Sequence, residues 1–482
     1  VGQYHFGKGF DDVLLSRFVA VLGVNWSIAL YNALVDLVHA GDLLSERQSR
    51  NLSLACADWS ECYDDSRGWL LRAFLAGKAG DMSMEKALLQ RLHDEDPAKF
   101  WRVVQDVYRF SRPLAGFCLD LVQGECRVLA DDGKHRQIAY YPAYRRNAYL
   151  DLLYRDPAFS GMVFPFVELD DFLSVTCLPG VENILHIHWV QSVLAPAGPS
   201  RSLIDLHMDS FLLRLQEKKN QGFKIFWTIH NYLSHGCVDP EGEIALRRAL
   251  YDLSDYVFVH HPMAACLLDW LSDRKKLCLS EHGAYPVVND ISSSRMAMRS
   301  QLGIPSDGFV VMHVGQVQPY KGLSEWLPIF QDLLEVLPGM YFVLAGRIVD
   351  SEVRAWLDVN QHPRFMVIDQ HVSNDYLEAL MAAADVGFLS YDKTLTSGTL
   401  FHWLSVGRPV LAPGKGTISC YVLDGWSGYT YQSLSEARAL LVSLAKLSAT
   451  ELARLGRNAL ISANQLEWGL WKTAELHVRG ER

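Results

Sequence analysis

Two stretches in the second half of the chain combine residue types able to hold an anion. In HVGQVQPYKG, residues 313–322, a glycine follows directly on an apolar, β-branched run, and Lys321 stands six residues beyond Gly315. A glycine at such a turn lets the backbone approach a ligand closely, and the lysine is placed to meet negative charge. In TSGTLFHWLSVGRPV, residues 396–410, Ser397, Gly398 and Thr399 stand at the predicted start of a helix. Free N–H groups and the positive end of the helix dipole there favour a phosphate. A lysine and a helix start facing one cleft outline a diphosphate site. Taken singly, each also reads as a surface lysine and an N-capping serine.

The first half supplies histidines. His186 and His188 alternate along a predicted strand and so share a face, while His230, His260 and His261 stand at strand ends. The spacing is compatible with a metal, but no cysteine or carboxylate completes a set, so no metal site is expected. A strand-end histidine bound to backbone is the plainer alternative for His230.

These residues need elements to position them. The alternation of short apolar runs (RQIAYYPAY, NILHIHWV, KIFWTIHN, YVFVHH) with helical stretches predicts a parallel sheet covered by helices, and the pattern resumes from FVVMHVGQV at 309. The expected fold class is α/β: two tandem doubly wound, Rossmann-like domains, 135–295 and 296–455, with a cleft at the carboxyl ends of both sheets. RSQLGIPSDG, residues 299–308, reads as an interdomain linker, 324–337 and 373–384 as helices, and 456–482 as a terminal helix crossing back to the first domain. Residues 1–134 read as an extra helical domain. Its hairpin around Gly80-Asp81 resembles one tetratricopeptide-like unit in a single copy, either a cap on the next domain or a partner-binding surface.

Composition narrows the classes. The chain has 482 residues, 49% hydrophobic and 21% charged, which fits a folded protein of two or three domains. A formal charge of -10 without a basic tract argues against a nucleic-acid partner. Nine cysteines without a paired-ligand pattern suggest reduced thiols. No run of eighteen apolar residues predicts a membrane span, and VGQYHFGKGFDD lacks the layout of a secretion signal, so a cytoplasmic protein is expected. YYPAYRRNAYLDLLYRD is a basic, aromatic helix start that suits either peripheral membrane contact or a solvated helix face.

The order and spacing of VGQVQPYKG, FVLAGR, LEALMAAADVGFLSY and FHWLSVGRPVLAP resemble the C-terminal domain of GT-B glycosyltransferases, closest to the retaining, family-4-like group. The resemblance is strongest over 300–430, looser over 135–295, and does not reach the first 130 residues. It implies a donor nucleotide-sugar, GDP- or UDP-linked, whose diphosphate binds Lys321, with Gly315, Ser397, Gly398 and Thr399 around it. The family's arginine beside the lysine is Gln316 here, and Arg347 is the residue able to restore the charge, or else a surface cap on its strand. Val372 falls where such enzymes hold the base. The family's two glutamates are replaced by Thr394 and His402, the latter expected near ribose. TSGTLFHWLSVGRPV, TIHN (Thr228–Asn231) and His282-Gly283 resemble a bacterial subgroup associated with surface polysaccharide assembly, in which such replacements are usual.

By the same resemblance His230 is the candidate catalytic residue beside Lys321, touching the transferred sugar, with His188, Asn231 and His282 on the acceptor side. The acceptor is expected to be a glycan, glycolipid or protein. The retaining route needs no protein nucleophile and no obligatory metal, in keeping with the lack of an Asp-x-Asp motif at Asp64-Asp65, Asp131-Asp132 or Asp170-Asp171. Two further readings stay open: a non-catalytic scaffold of the same fold, binding a partner through the helical N-terminal domain, and a sugar-nucleotide epimerase.

Overall fold

The computed structural model describes residues 135–144, 147–155, 162–194, 200–271, 276–287, 290–391 and 394–470, with the isolated residues Ser83 and Ala87. The expected helical domain at 1–134 lies outside the described residues. Apart from Ser83 and Ala87, these residues fall in one compact unit, Glu125–Glu475.

Twelve strands form two sheets of six. The first holds β1 (Arg136–Tyr141), β2 (Val163–Pro165), β3 (Glu182–Ile187), β4 (Lys224–Thr228), β5 (Tyr256–Val259) and β6 (Leu277–Leu279), in the order β2-β1-β3-β4-β5-β6. The second holds β7 (Phe309–Val314), β8 (Met340–Ala345), β9 (Phe365–Ile368), β10 (Val386–Phe388), β11 (Val410–Pro413) and β12 (Gly428–Tyr431), in the order β12-β11-β10-β7-β8-β9. Every pairing within these sheets is parallel. Parallel strands need long crossovers, and the helices that make them cover the sheets, so the strands read as unbroken apolar runs rather than as an alternation. β7 shows the consequence: Val310, Met312 and Val314 pack into one core, Phe309 and Val311 into the core on the other face. This is α/β architecture with two Rossmann-like lobes, as the apolar runs predict.

The sequence reading missed β2, β6 and β12, which are three or four residues long and carry little signal of their own. Residues 324–337, expected as one helix, divide into a 3-10 turn, Leu323–Trp326, and the helix Leu327–Val336. The stretch 299–308 is not a linker. The helix Ile291–Gln301 belongs to the second lobe, where Arg299 is buried and donates to the carbonyls of Ala383 (2.9 Å), Ser306 (3.0 Å) and Gly308 (2.9 Å). Its turn-rich composition serves an arginine cage.

Asp385 centres that cage. It pairs with Arg295 at 2.5 Å and Arg299 at 2.8 Å and accepts from the Val310 amide at 2.7 Å. Arg295 and Arg408 also donate to Ala384 and Ala382, so three arginines meet the buried carbonyls at the end of the helix Asn374–Ala383. Cations there complement the negative end of the dipole.

The chain returns to the first lobe after the helix Ala449–Asn464, but residues 465–470 are not helical. Leu466 O accepts from the Ala284 amide, Trp468 Nε1 donates to Ala284 O, and Ser280 Oγ donates to Gly469 O. Leu470 closes the first core beside Ile138 and Tyr149. The expected terminal helix therefore stops at Asn464, and over 465–470 the chain is non-helical and tied to 280–284 by these bonds. The continuation from 471 lies outside the described residues. No described helix is long and apolar enough to cross a membrane.

Removing one member of a buried ion pair leaves an uncompensated charge, which costs about 3–5 kcal/mol. Asp385→Ala should lower the unfolding free energy from denaturant titration by that amount. A loss below about 1 kcal/mol would show that the arginines are satisfied by carbonyls alone.

Candidate functional site

In doubly wound sheets ligands bind beyond the carboxyl ends of the strands, where the strand order reverses. In the second lobe the reversal lies between β7 and β10, and in the first between β1 and β3. The two reversals face one cleft of about 570 Å3, lined from the second lobe by Gly315, Tyr320, Lys321, Tyr391 and 396–399, and from the first by Ala148, Asp151, Arg155 and His235. That volume suits a small organic ligand.

The second-lobe wall gathers six of the residues expected there: Gly315, Lys321, Ser397, Gly398, Thr399 and His402. Gly315 has φ +95°, a conformation natural to glycine, and a Cβ on it would stand 3.3 Å from Lys321 Nζ and 3.8 Å from Thr399 Oγ1. Lys321 is only 4% exposed. Among the described residues its ammonium has no carboxylate partner, and the Tyr391 ring lies 5.6 Å from it, measured to the centroid. A buried charge with nothing opposite is costly, so the arrangement calls for an anion.

Ser397 caps the helix Gly398–Ser405, accepting from the Leu400 amide, while its own hydroxyl donates to Tyr391 OH at 3.0 Å. The amides of Gly398 and Thr399 carry no partner among the described residues and stand at the positive end of that helix. Two further polar atoms of the lining are buried without a partner: Thr396 Oγ1 and His402 Nε2. Burial pushes the His402 imidazole down to about 4, so it is neutral at pH 7. Tyr285 stacks on it with ring centroids 4.8 Å apart.

Three expected donor residues stand elsewhere. Gln316 is exposed and accepts from Gln318. Arg347 follows β8, on the far side of β7 from β10, and is exposed away from the cleft. Val372 follows the edge strand β9 and packs half-buried against the core. None of the three lines the cleft. Arg347 therefore does not restore the charge that Gln316 lacks.

On the first-lobe side the expectation for His230 requires correction. Strand parity puts His186, His188, His230, His260 and His282 on one face, where four of them form a single hydrogen-bonded chain. His260 Nδ1 lies 2.8 Å from the Ser280 carbonyl, which can only accept, so Nδ1 carries the proton and Nε2 is bare. Nε2 then receives the His230 Nδ1–H at 3.2 Å, and His230 Nε2 receives the His188 Nδ1–H at 3.1 Å. His188 Nε2 accepts from Tyr154 OH at 2.8 Å, Tyr154 accepts from His186 Nδ1 at 2.7 Å, and His186 Nε2 accepts from Thr228 Oγ1 at 2.8 Å. One carbonyl thus sets every tautomer.

Both nitrogens of His230 are spent, and neither it nor His188, His282 or Asn231 lines the cleft. His282 lies behind the Gly398 turn, stacked on Phe401 at 4.1 Å. Asn231 O accepts from Arg247. Burial lowers His186 to about 3 and His260 to about 4, and holds His188, His230 and His282 well below the usual range. Among the described residues no group of three or more His, Cys, Asp or Glu is arranged to hold a metal.

The cleft residues that sequence reasoning missed are His235, Tyr285, Tyr320, Tyr391, Asp151 and Glu378. His235 lies five residues beyond His230 in the same loop, and Tyr285 two beyond Gly283. The TIHN and HG signals therefore marked the right loops and the wrong side chains.

With this geometry in view, comparison with known proteins is informative. The chain is 23% identical over 308 residues to the GDP-mannose:glycolipid 4-beta-D-mannosyltransferase of Xanthomonas campestris pv. campestris, covering 62% of this chain and 78% of the relative. The chain is similar to glycosyltransferases. It is also 25% identical over 173 residues to the alpha-monoglucosyldiacylglycerol synthase of Acholeplasma laidlawii, 36% of this chain and 43% of that protein. Among solved structures, Anabaena HepE in complex with UDP and glucose aligns with a TM-score of 0.49 at 16% identity, covering 70% of this chain and 96% of that one. No family model matches.

The histidine chain makes stability depend on pH. A histidine whose folded pKa lies below its unfolded value takes up its proton on unfolding, so its contribution is complete above about pH 6.5 and declines as pH falls towards the folded value. Each such histidine adds a slope of about 1.4 kcal/mol per pH unit. Unfolding midpoints should therefore fall steadily from pH 6.5 to 5, above the range where carboxylates contribute. A flat profile over that window would contradict the neutral chain.

Proposed function

We propose that this chain is a glycosyltransferase that moves a sugar from a GDP- or UDP-linked donor to a glycan, glycolipid or protein acceptor, in bacterial polysaccharide or glycoconjugate synthesis. The observation that carries the reading is Lys321: a buried, unpaired ammonium at the strand-order reversal, beside Gly315 and Thr399. Relatives named for transfer of mannose to a glycolipid and for synthesis of a glucosyl diacylglycerol favour a sugar donor and a lipid-linked acceptor.

On this reading the bond between the sugar's anomeric carbon and the β-phosphate oxygen breaks, and the electron pair leaves with the phosphate. Charge building there is met by Lys321 and the amides of Gly398 and Thr399, groups already in place before reaction. The same groups supply the positive charge for which a metal would otherwise be needed, so the proposal includes metal-independent transfer. His402, neutral and with Nε2 unpartnered among the described residues, offers a polar contact to the nucleoside.

Lys321→Ala should raise the dissociation constant for GDP or UDP roughly tenfold or more, since a charged hydrogen bond is worth about 1.5–3 kcal/mol. Calorimetry showing no binding of either nucleotide to the wild-type chain would remove the reading. Gly398→Val should abolish donor turnover in a protein that still unfolds cooperatively, at a melting temperature somewhat below that of the wild type. A Cβ there meets Tyr285 OH at 2.9 Å and displaces the ring that packs on His402. Wild-type binding without turnover of any sugar nucleotide would favour the scaffold reading instead.

A further inference from the structure

The second lobe offers one cation where a diphosphate carries two negative charges, and neither Gln316 nor Arg347 supplies another. The geometry points to His235. This histidine of the first lobe lies flat on Tyr320, with ring centroids 3.6 Å apart and 10° between planes, immediately beside Lys321. It lines the same cleft as Gly315 and Gly398. Unlike the histidines of the buried chain, it makes no hydrogen bond through either ring nitrogen among the described residues.

Its loop is held from behind. Glu243, buried and paired with Arg247 at 2.6 Å, accepts from the amide and hydroxyl of Ser234 at 2.7 and 2.8 Å. The residue before His235 is therefore fixed by a buried ion pair, and the imidazole is presented on a set backbone rather than on a loose loop.

We propose that His235 is the first lobe's ligand for the donor diphosphate, completing with Lys321 and the amides of Gly398 and Thr399 an anion seat shared by both lobes, and that it takes up a proton as the diphosphate enters. This rests on the functional reading above. Burial and then the Lys321 charge depress His235 in the empty cleft, against a smaller opposing effect of Glu243. A bound diphosphate reverses the sign of the field at that point, which favours the imidazolium. The other charged or titratable groups near it are Tyr320 of the facing turn, Cys237 of its own loop, and Asp151, Arg155 and Glu378 elsewhere on the cleft wall. Glu243 and Arg247 neutralise each other behind the loop.

The test is calorimetry of GDP-mannose and UDP-glucose, whose diphosphate diesters do not themselves titrate between pH 5.5 and 8.5, in buffers of different ionisation enthalpy. The wild-type chain should bind at least one of them more tightly as pH falls, with net proton uptake. His235→Asn should bind about tenfold more weakly at pH 6, lose the uptake, and keep the wild-type melting temperature. His235→Lys, a permanent cation, should restore affinity without restoring the pH dependence. Unchanged uptake in His235→Asn, or no uptake in the wild type, would overturn the inference while leaving the functional reading in place. Failure of the wild-type chain to bind either nucleotide sugar, or GDP or UDP, at any pH would overturn both.

Discussion

The carboxyl edge of the first sheet depends on a single hydrogen bond, from His260 Nδ1 to the carbonyl of Ser280. Because a carbonyl cannot donate, that bond dictates the protonation of every ring as far as Thr228. The direction is uniform: each histidine donates through Nδ1 and accepts through Nε2. Buried polar groups are tolerable only when satisfied, and here three strand ends satisfy one another through neutral rings. The cost is that these histidines have nothing left to offer a ligand. The loop beyond them brings His235 to the cleft, beside Asp151 and Arg155 of the same lobe.

The second lobe solves the opposite problem. Its site needs unsatisfied groups, and Lys321, the amides of Gly398 and Thr399, Thr396 Oγ1 and His402 Nε2 all lack a partner among the described residues. Such a surface persists only on a rigid support. Asp385 provides it by joining Arg295 and Arg299, on the helix entering the lobe, to the first strand of its sheet. Tyr285 links the halves: its amide donates to Ser405 and its ring covers His402.

Much of this was legible in the sequence where the physics is local. Apolar runs with fixed breaks gave both sheets, and Gly315, Lys321, Ser397 and Gly398 were readable because strand-to-turn and helix-start chemistry repeats wherever phosphate is bound. The interlobe crossing was not legible, since Arg299 in a polar, turn-rich stretch looks like linker until the carbonyls of Ala383 and Gly308 are brought to it. Strand-end position marks His230 and His260 but carries no information about which ring nitrogens are already engaged. Arg347 failed for a topological reason. Its strand lies on the wrong side of β7, a fact that depends on strand order rather than on any residue near it.

The return of residues 465–470 to the first lobe has a consequence for synthesis. Ser280 and Gly469, which meet through a hydrogen bond, are separated by 189 residues. A ribosome adding roughly 5–20 residues per second needs about ten to forty seconds to cover that interval. Throughout it the face around Tyr149 and Ile138, later covered by Trp468 and Leu470, stands open on a nascent lobe whose six strands have all been made. The first lobe is thus first to be translated and last to be sealed, and its exposed apolar face is a natural target for chaperones that attend growing chains.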